Sequence, residues 1–411
     1  MQVVHSICCG LDVHKRTVVA CLLTWAQGKT TKQLQTFGTT TAELRALADW
    51  LLEHECRETA IESTGVYWKP VFNVLEARGI GVLLANAQHI RNVPGRKTDL
   101  KDAEWIAQLL QLGLLSASFV PPKEIRELRE LTRYRKTLIQ QRANQSNRIQ
   151  KLLETCNVKL ASVASDILGA SGRDMLEALA EGHSTPEQMA DLARKRLRKK
   201  IPQLIPSLEG ELSDTQRWLL KEELAEIDRL DQAIARLDNK IQELCRPFDE
   251  LIQKLVEIPG VNRRIAEVII AEIGIDMSRF PTAGHLASWS GMCPGNRESG
   301  GKRQSGKSRP GNKWLRGVLT EAGWAAGRTK ATSLSALHQR IARRRGGKRA
   351  SFAVGHHILR LAHLLLAHPE IRYADAGPDY YQNQQRHQLK TSLIRKLLAL
   401  GVEVTIHDPA A

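Results

Sequence analysis

Residues 6–24, SICCGLDVHKRTVVACLLT, decide the fold of the first third of this chain. Apolar and β-branched residues run on either side of a polar break, Asp12-Val13-His14-Lys15-Arg16, which predicts two strands joined by a tight turn. Asp12 then stands near the end of the first strand. Working outward, residues 58–62 (ETAIE) form a further short strand. Ser63-Thr64-Gly65 starts a helix whose apolar period runs to Ala77, and residues 81–85 form the next strand after Gly79. Strand, helix and strand with short connections make an α/β layer. Past Pro94-Gly95, residues 98–113 have helical spacing, with Thr98 as cap and Lys101 and Asp102 in the first turn. Pro121-Pro122 closes the domain, so residues 1–120 are expected to be one unit.

The next segment, 121–250, reads as helical. Leu128, Leu131, Leu138, Ile149 and Leu152 fall near a heptad that Arg135, Arg142 and Gln145 interrupt. Leu220, Ile227, Ile234 and Ile241 recur every seven residues, interleaved with Leu230, Leu237 and Leu244, as in a coiled-coil seam. The two helices are expected to pair, either as a hairpin within one chain or across subunits. Residues 155–215 form an insert with little signal, in which the run 194–200 (RKRLRKK) reads as a solvated helix face, with contact to phosphates as the alternative. Domains at 251–335 and 336–411 are expected to follow, both mainly α.

Sixty Lys+Arg against 44 Asp+Glu give a net charge of +16, which favours a polyanionic partner. The excess is localised: residues 1–120 hold 12 basic and 11 acidic side chains, whereas residues 296–349 hold 15 basic and 2 acidic ones, Glu298 and Glu321. Seven scattered cysteines without a C-x-x-C pair read as reduced thiols. No apolar run of membrane-spanning length stands out and no basic leader precedes an apolar stretch, so a soluble cytoplasmic protein with no membrane association is expected.

Four carboxylates stand out. Asp12 ends one strand, Glu62 closes another before a glycine turn, and Asp99 and Asp102 lie three apart on a helix and face the same way. Converging carboxylates repel unless a cation sits among them, and hard oxygen ligands suit Mg²⁺ or Mn²⁺. By themselves Asp99 and Asp102 could equally cap and solvate a helix start. Arg91, Arg96, Lys97 and Lys101 surround them with phosphate-compatible cations.

Further on, residues 256–274 (VEIPGVNRRIAEVIIAEIG) resemble a helix-hairpin-helix turning at Pro259-Gly260-Val261, although a plain helical hairpin reads nearly as well. Residues 286–319 mix glycine, serine and cations, which by composition alone reads as a flexible basic loop, or as a segment whose backbone approaches an anion while Lys302, Arg303, Lys307, Arg309, Lys313 and Arg316 neutralise it. Beyond them, the basic run around 341–350 reads as a nucleic-acid arm or a solvated face, and residues 352–368 as an amphipathic helix.

Three stretches, GLDVHKRTV (10–18), IESTGVYW (61–68) and NAQHIRNVPGRKTDLKDAEWIAQLL (86–110), resemble the signature segments of the DEDD transposases of bacterial insertion sequences, family 110. The order Pro294, Ser299-Gly300-Gly301-Lys302 and Gly311-Asn312-Lys313-x-Leu315-Arg316 is similar to the C-terminal transposase domain of that family. The resemblance implies a RuvC-like, RNase H-like N-terminal domain whose Asp12, Glu62, Asp99 and Asp102 bind metal. It implies Ser299 as a nucleophile that forms a covalent phosphoserine link, with Ser305 and Ser308 as fallback nucleophiles. Double-stranded DNA, a structured guide RNA (the bridge RNA) and a homo-oligomer, dimer or tetramer, are the implied partners. The acids and the serine would form a composite site, contributed in the family by different subunits. Two rivals remain at this level: a Holliday-junction nuclease using the same acids with water as nucleophile, and a non-enzymatic DNA-binding protein.

Overall fold

The computed structural model describes residues 3–63, 65–86, 90, 102–295, 297–306, 308 and 310–401, with backbone alone at 297–299, 302–305, 385, 387 and 388. The chain divides into two compact units, 1–120 and 121–411.

In the first unit β1 (Ile7–Val13) and β2 (Thr17–Ala26) form the antiparallel pair expected from residues 6–24, the turn closed by the His14 amide donating to the Thr17 carbonyl at 2.9 Å. Two elements were not anticipated. One is β3 (Lys29–Gly38), antiparallel to β2, and the other α1 (Thr41–Glu53), capped by the Thr40 side chain. β3 is an edge strand with nearly every residue exposed, so it carries no apolar alternation to read. β4 (Glu58–Glu62) runs parallel to β1, α2 spans Trp68–Ala77, and β5 (Gly81–Ala85) runs parallel to β4. The sheet order is β3-β2-β1-β4-β5. α3 (Asp102–Gln111) completes the unit.

Strand alternation divides the sheet into two buried faces. Cys9, Leu11, Leu22 and Ile61 face α1 and α2, while Cys8, Cys21, Leu23 and Ala60 face Ala103, Ile106, Ala107 and Leu110 of α3. Fully burying a Leu or Ile contributes on the order of 1.5–3 kcal/mol, so both layers hold the sheet firmly.

The second unit is mainly helical. α4 (Lys123–Thr155) and α9 (Asp214–Cys245) lie antiparallel against each other. The polar residues that broke the heptad set their register: Arg135 meets Asp238, Arg142 meets Asp231 and Gln145 meets Glu223. The insert folds as short helices α5 (Leu160–Val163), α6 (Ala170–Glu181), α7 (Pro186–Asp191) and α8 (Ile201–Ser207), which cover the ends of α4 and α9 with their own apolar core. The six basic residues of the run 194–200 are exposed, Leu197 packs on the insert's core, and Lys195–Lys200 form a 3₁₀ turn.

After α9 come α10 (Asp249–Val256), α11 (Arg263–Ile273) and α12 (Ala283–Trp289), then a hairpin of β6 (Arg297–Ser299) and β7 (Lys302–Ser305). α13 (Lys313–Arg328), α14 (Ser333–Arg345), α15 (Gly347–Ala367) and α16 (Tyr380–Ala399) follow. The expectation that no stretch has membrane-spanning length needs correction. α15 is long and apolar enough by composition, but 56% of its apolar window is buried in the unit, packed on α13, α14 and α12, which makes it a core helix. All seven cysteines are free thiols.

Candidate active site

The alternation that builds the sheet also sorts the acids. Asp12 follows Cys8 and Gly10 on the α3 face of β1, and Glu62 follows Ala60 on the same face of β4. β1 and β4 pair in parallel, Leu11 opposite Ile61, so Asp12 and Glu62 stand side by side at the strand ends. Asp102, in the first turn of α3, is brought over them by close packing at Gly10. A Cβ there would lie 2.2 Å from the Ala103 carbonyl oxygen and 2.3 Å from the Ala107 nitrogen, so only glycine lets the helix approach.

The electrostatics of Asp12 report this company. Burial, foremost, lifts its carboxyl above the ordinary 3.8, and the charges of Asp102 and Glu62 push the same way. His14 opposes them, its Nε2 lying 3.1 Å from Asp12 Oδ2. His14 was quoted in the sequence motif without a role, and its spacing two residues after Asp12 was the available signal. Among the described residues no group of three His, Cys, Asp or Glu side chains is gathered tightly enough to hold a metal ion. Asp99, with Arg91, Arg96, Lys97 and Lys101, lies outside the described residues. The donor chemistry of Asp12, Glu62 and Asp102 fits a hard divalent cation, because a positive charge would offset both the burial of Asp12 and the neighbouring charges that lift it.

In the second unit the S-G-G-K element is a two-residue β-hairpin. Ser299 pairs with Lys302 at the end of β6, and Gly300 and Gly301 both have positive φ, 57° and 72°. Two consecutive positive φ values are the signature of a type I′ turn, which glycine adopts without strain. Neither glycine has an atom within 4 Å of a would-be Cβ, so they serve backbone conformation and not close packing. Ser299 is thus carried at the tip of an open hairpin. The side chains of Ser299, Ser305, Lys302 and Arg303, and residues Lys307 and Arg309 altogether, lie outside the described set.

The hairpin's neck is held by Gly311 and Asn312 of the quoted motif together with groups the sequence does not single out, Ser290, Glu272, Arg129 and Arg133. A Cβ on Gly311 would sit 2.3 Å from the Ser290 carbonyl oxygen, so the two sides of the neck touch. Asn312 caps α13, its Oδ1 accepting from the amides of Trp314 and Leu315 at 3.1 Å each. Its Nδ2 donates at 2.6 Å to Glu272, a fully buried carboxylate that also takes two 2.7 Å bonds from Arg133. Arg129 donates to the carbonyls of Ala271 and Glu272, and burial brings its pKa down to about 10. The signal was a pair of glutamates, Glu267 and Glu272, inside the apolar run 265–275.

Two of the proposed phosphate ligands are described here. Lys313 lies over the Trp314 ring at 5.1 Å, and Arg316 lies 5.5 Å from the Phe352 ring centre while donating to Ser308 Oγ at 3.2 Å. The turn at Pro259-Gly260-Val261 joins α10 to α11, but its cations are engaged internally. Arg263 bonds Asp249 and Glu267, Arg264 bonds Glu267, and Asn262 caps the helix start.

Comparison with known proteins matches residues 9–158 to the DEDD transposase model of the IS110 group and residues 252–339 to the transposase IS116/IS110/IS902 family. The insertion element IS116 uncharacterized 44.8 kDa protein of Streptomyces clavuligerus is 30% identical over 285 residues, covering 62% of this chain and 70% of that protein. An insertion element IS110 protein of Streptomyces coelicolor is 27% identical over 226 residues, covering 50% and 55% respectively. The pilin gene-inverting protein of Moraxella bovis is 35% identical over 92 residues, 21% of this chain and 28% of that protein.

Proposed function

The chain belongs to the IS110 transposase family, whose members cleave DNA and transfer its strands, and on that premise we propose that it is a DNA transposase or recombinase working through a covalent phosphoserine. The observation that carries the reading is the placing of Asp12 and Glu62 side by side at the ends of adjacent strands with Asp102 of α3 over them, where burial, joined by the charges of Asp102 and Glu62, lifts Asp12. The antiparallel-parallel sheet order fits an RNase H-like, RuvC-like fold for residues 1–120.

In this reading Asp12, Glu62, Asp99 and Asp102 would hold Mg²⁺ or Mn²⁺, which when bound supplies charge stabilisation at the phosphodiester. Ser299 Oγ attacks the scissile phosphorus. The Oγ–P bond forms, the P–O bond to the departing strand breaks, and the serine proton ends on the leaving hydroxyl. Rejoining reverses this with the hydroxyl of a new strand, and the proton returns to Ser299. Ser305 and Ser308 are the fallback nucleophiles. Arg91, Arg96, Lys97, Lys101, Lys302, Arg303, Lys307, Arg309, Lys313 and Arg316 neutralise phosphates of double-stranded DNA. A structured guide RNA and a homo-oligomeric state belong to the same reading.

The test is to incubate the protein with element-end DNA, flanking RNA and Mg²⁺, digest it, and search by mass spectrometry for a nucleotide on serine. An adduct on Ser299 that is absent from Ser299→Ala is the expected result. Cleavage with no serine adduct would overturn it in favour of water as nucleophile.

A further inference from the structure

Many arginines of the second unit face carboxylates: Arg133 meets Glu272, Arg135 meets Asp238, Arg173 meets Asp228 and Arg263 meets Asp249. The elbow between α14 and α15 differs. Arg343, Arg344, Arg345, Lys348 and Arg349 are all exposed, and none has an ion-pair partner among the described residues. The three arginines close α14, where cations suit the helix dipole. Lys348 and Arg349 stand in the first turn of α15 instead, where cations are disfavoured, and Gly346 offers no side-chain cap to the amides there. Such an arrangement favours an anion beside it.

The elbow forms one wall of an open groove of about 1140 Å³. Arg345, Lys348 and Arg349 line that wall, and Pro294, Gly306 and Ser308 of the serine segment line the other. Phe352 lies between them, with Arg316 over its ring. Among the described residues no carboxylate lines the groove. The elbow also lies beyond the residues matched to the family, which end at 339.

We propose that this groove holds the phosphodiester backbone of the DNA strand that the serine segment attacks, with Arg345, Lys348 and Arg349 as phosphate ligands. The choice of DNA rests on the reading of that segment as the cleaving one, because a strand lying in the groove runs along the residues flanking Ser299. The groove orders the strand by charge and shape and leaves sequence choice to other contacts.

The test uses the full-length protein and a fluorescent element-end duplex, with affinity measured by anisotropy across a salt series. Each phosphate contact adds about 0.9 to the slope of log affinity against log salt. The triple variant Arg345→Gln, Lys348→Gln, Arg349→Gln is expected to flatten the slope by about 2–3 and weaken binding about a hundredfold at 100 mM salt. Lys348→Gln alone should flatten it by about 0.9. Lys195→Gln with Lys199→Gln, exposed cations of the insert, should leave the slope unchanged.

A wild-type slope in the triple variant overturns the groove, as does a loss confined to a single-stranded RNA probe. The serine reading fails separately. If the slope flattens while no adduct forms on Ser299 in the wild type, the groove stands as a DNA site and the nucleophile assignment falls.

Discussion

At the scale of residues, the two chemistries are held in opposite electrostatic states. Asp12 is ionised at a cost, since burial, with Asp102 and Glu62, raises its pKa in the folded protein. A carboxyl whose folded pKa exceeds its unfolded one opposes folding above that folded pKa, and the penalty disappears when the group is protonated, replaced by an amide or neutralised by a cation. In metal-free buffer at pH 7, Asp12→Asn is therefore expected to melt above the wild type. Mg²⁺ should raise the wild-type melting temperature and leave the variant unmoved. An equal response of both proteins to Mg²⁺ would remove Asp12 from the metal site. Glu272 is the reverse case, a buried carboxylate fully compensated by Arg133 and Asn312. Glu272→Ala strands a partly buried guanidinium and should cost about 3–5 kcal/mol in denaturant unfolding. Asn312→Ala, which removes a cap, should cost about 1 kcal/mol. Asp12 and Glu62 stood out in the sequence because each ends a strand, whereas Asp99 and Asp102 stood out as a pair three apart on a helix. Glu272 did not, because its partners Arg133 and Asn312 come from 139 and 40 residues away, and no local pattern encodes such a meeting.

At the scale of elements, glycine does two different jobs. Gly10 permits contact between β1 and α3, and an added methyl would meet helix backbone at 2.2 Å. Gly10→Ala should force α3 outward, destabilise the first unit by about 1–3 kcal/mol, and carry Asp102 away from Asp12. Strand cleavage is then expected to fall even where the protein remains folded, which circular dichroism beside a cleavage assay would establish. Gly300 and Gly301 permit a backbone path, with open space around them. Gly301→Ala costs strain of about 1 kcal/mol confined to the turn, so it should spare the melting temperature and slow serine-adduct formation. The paired strands β1, β2, β4 and β5 were readable from apolar runs and turns. β3 was not, as an exposed edge strand has no buried face to set a period, and the β6–β7 hairpin was hidden by a composition that reads equally as loop. The polar breaks in the α4 heptad turned out to fix its antiparallel register against α9.

At the scale of the molecule, charge and burial combine into a pH response. The chain carries a net charge of +16 with its 13 histidines neutral, so acidification adds further positive charge to an already cationic surface. Within the second unit, burial lowers the pKa of His338, His356 and His357 from 6.5, and for the last two nearby Arg360 adds to the effect. A base whose folded pKa lies below its unfolded one binds protons preferentially in the unfolded chain. Stability is therefore intact above about pH 6.5 and is lost as pH falls through that value towards the folded pKa values. The melting temperature should be level between pH 8 and 7 and decline below 6.5. His357→Gln should make the decline shallower, since His357 is packed on the last described helix against the Tyr381 ring, 6.4 Å between centres. A short heparin fragment, which neutralises the basic block, should recover the part due to repulsion and leave the part due to histidine burial. A melting temperature unchanged down to pH 5.5 would mean that these histidines take up protons without disturbing α15, the core helix on which the basic elbow is mounted.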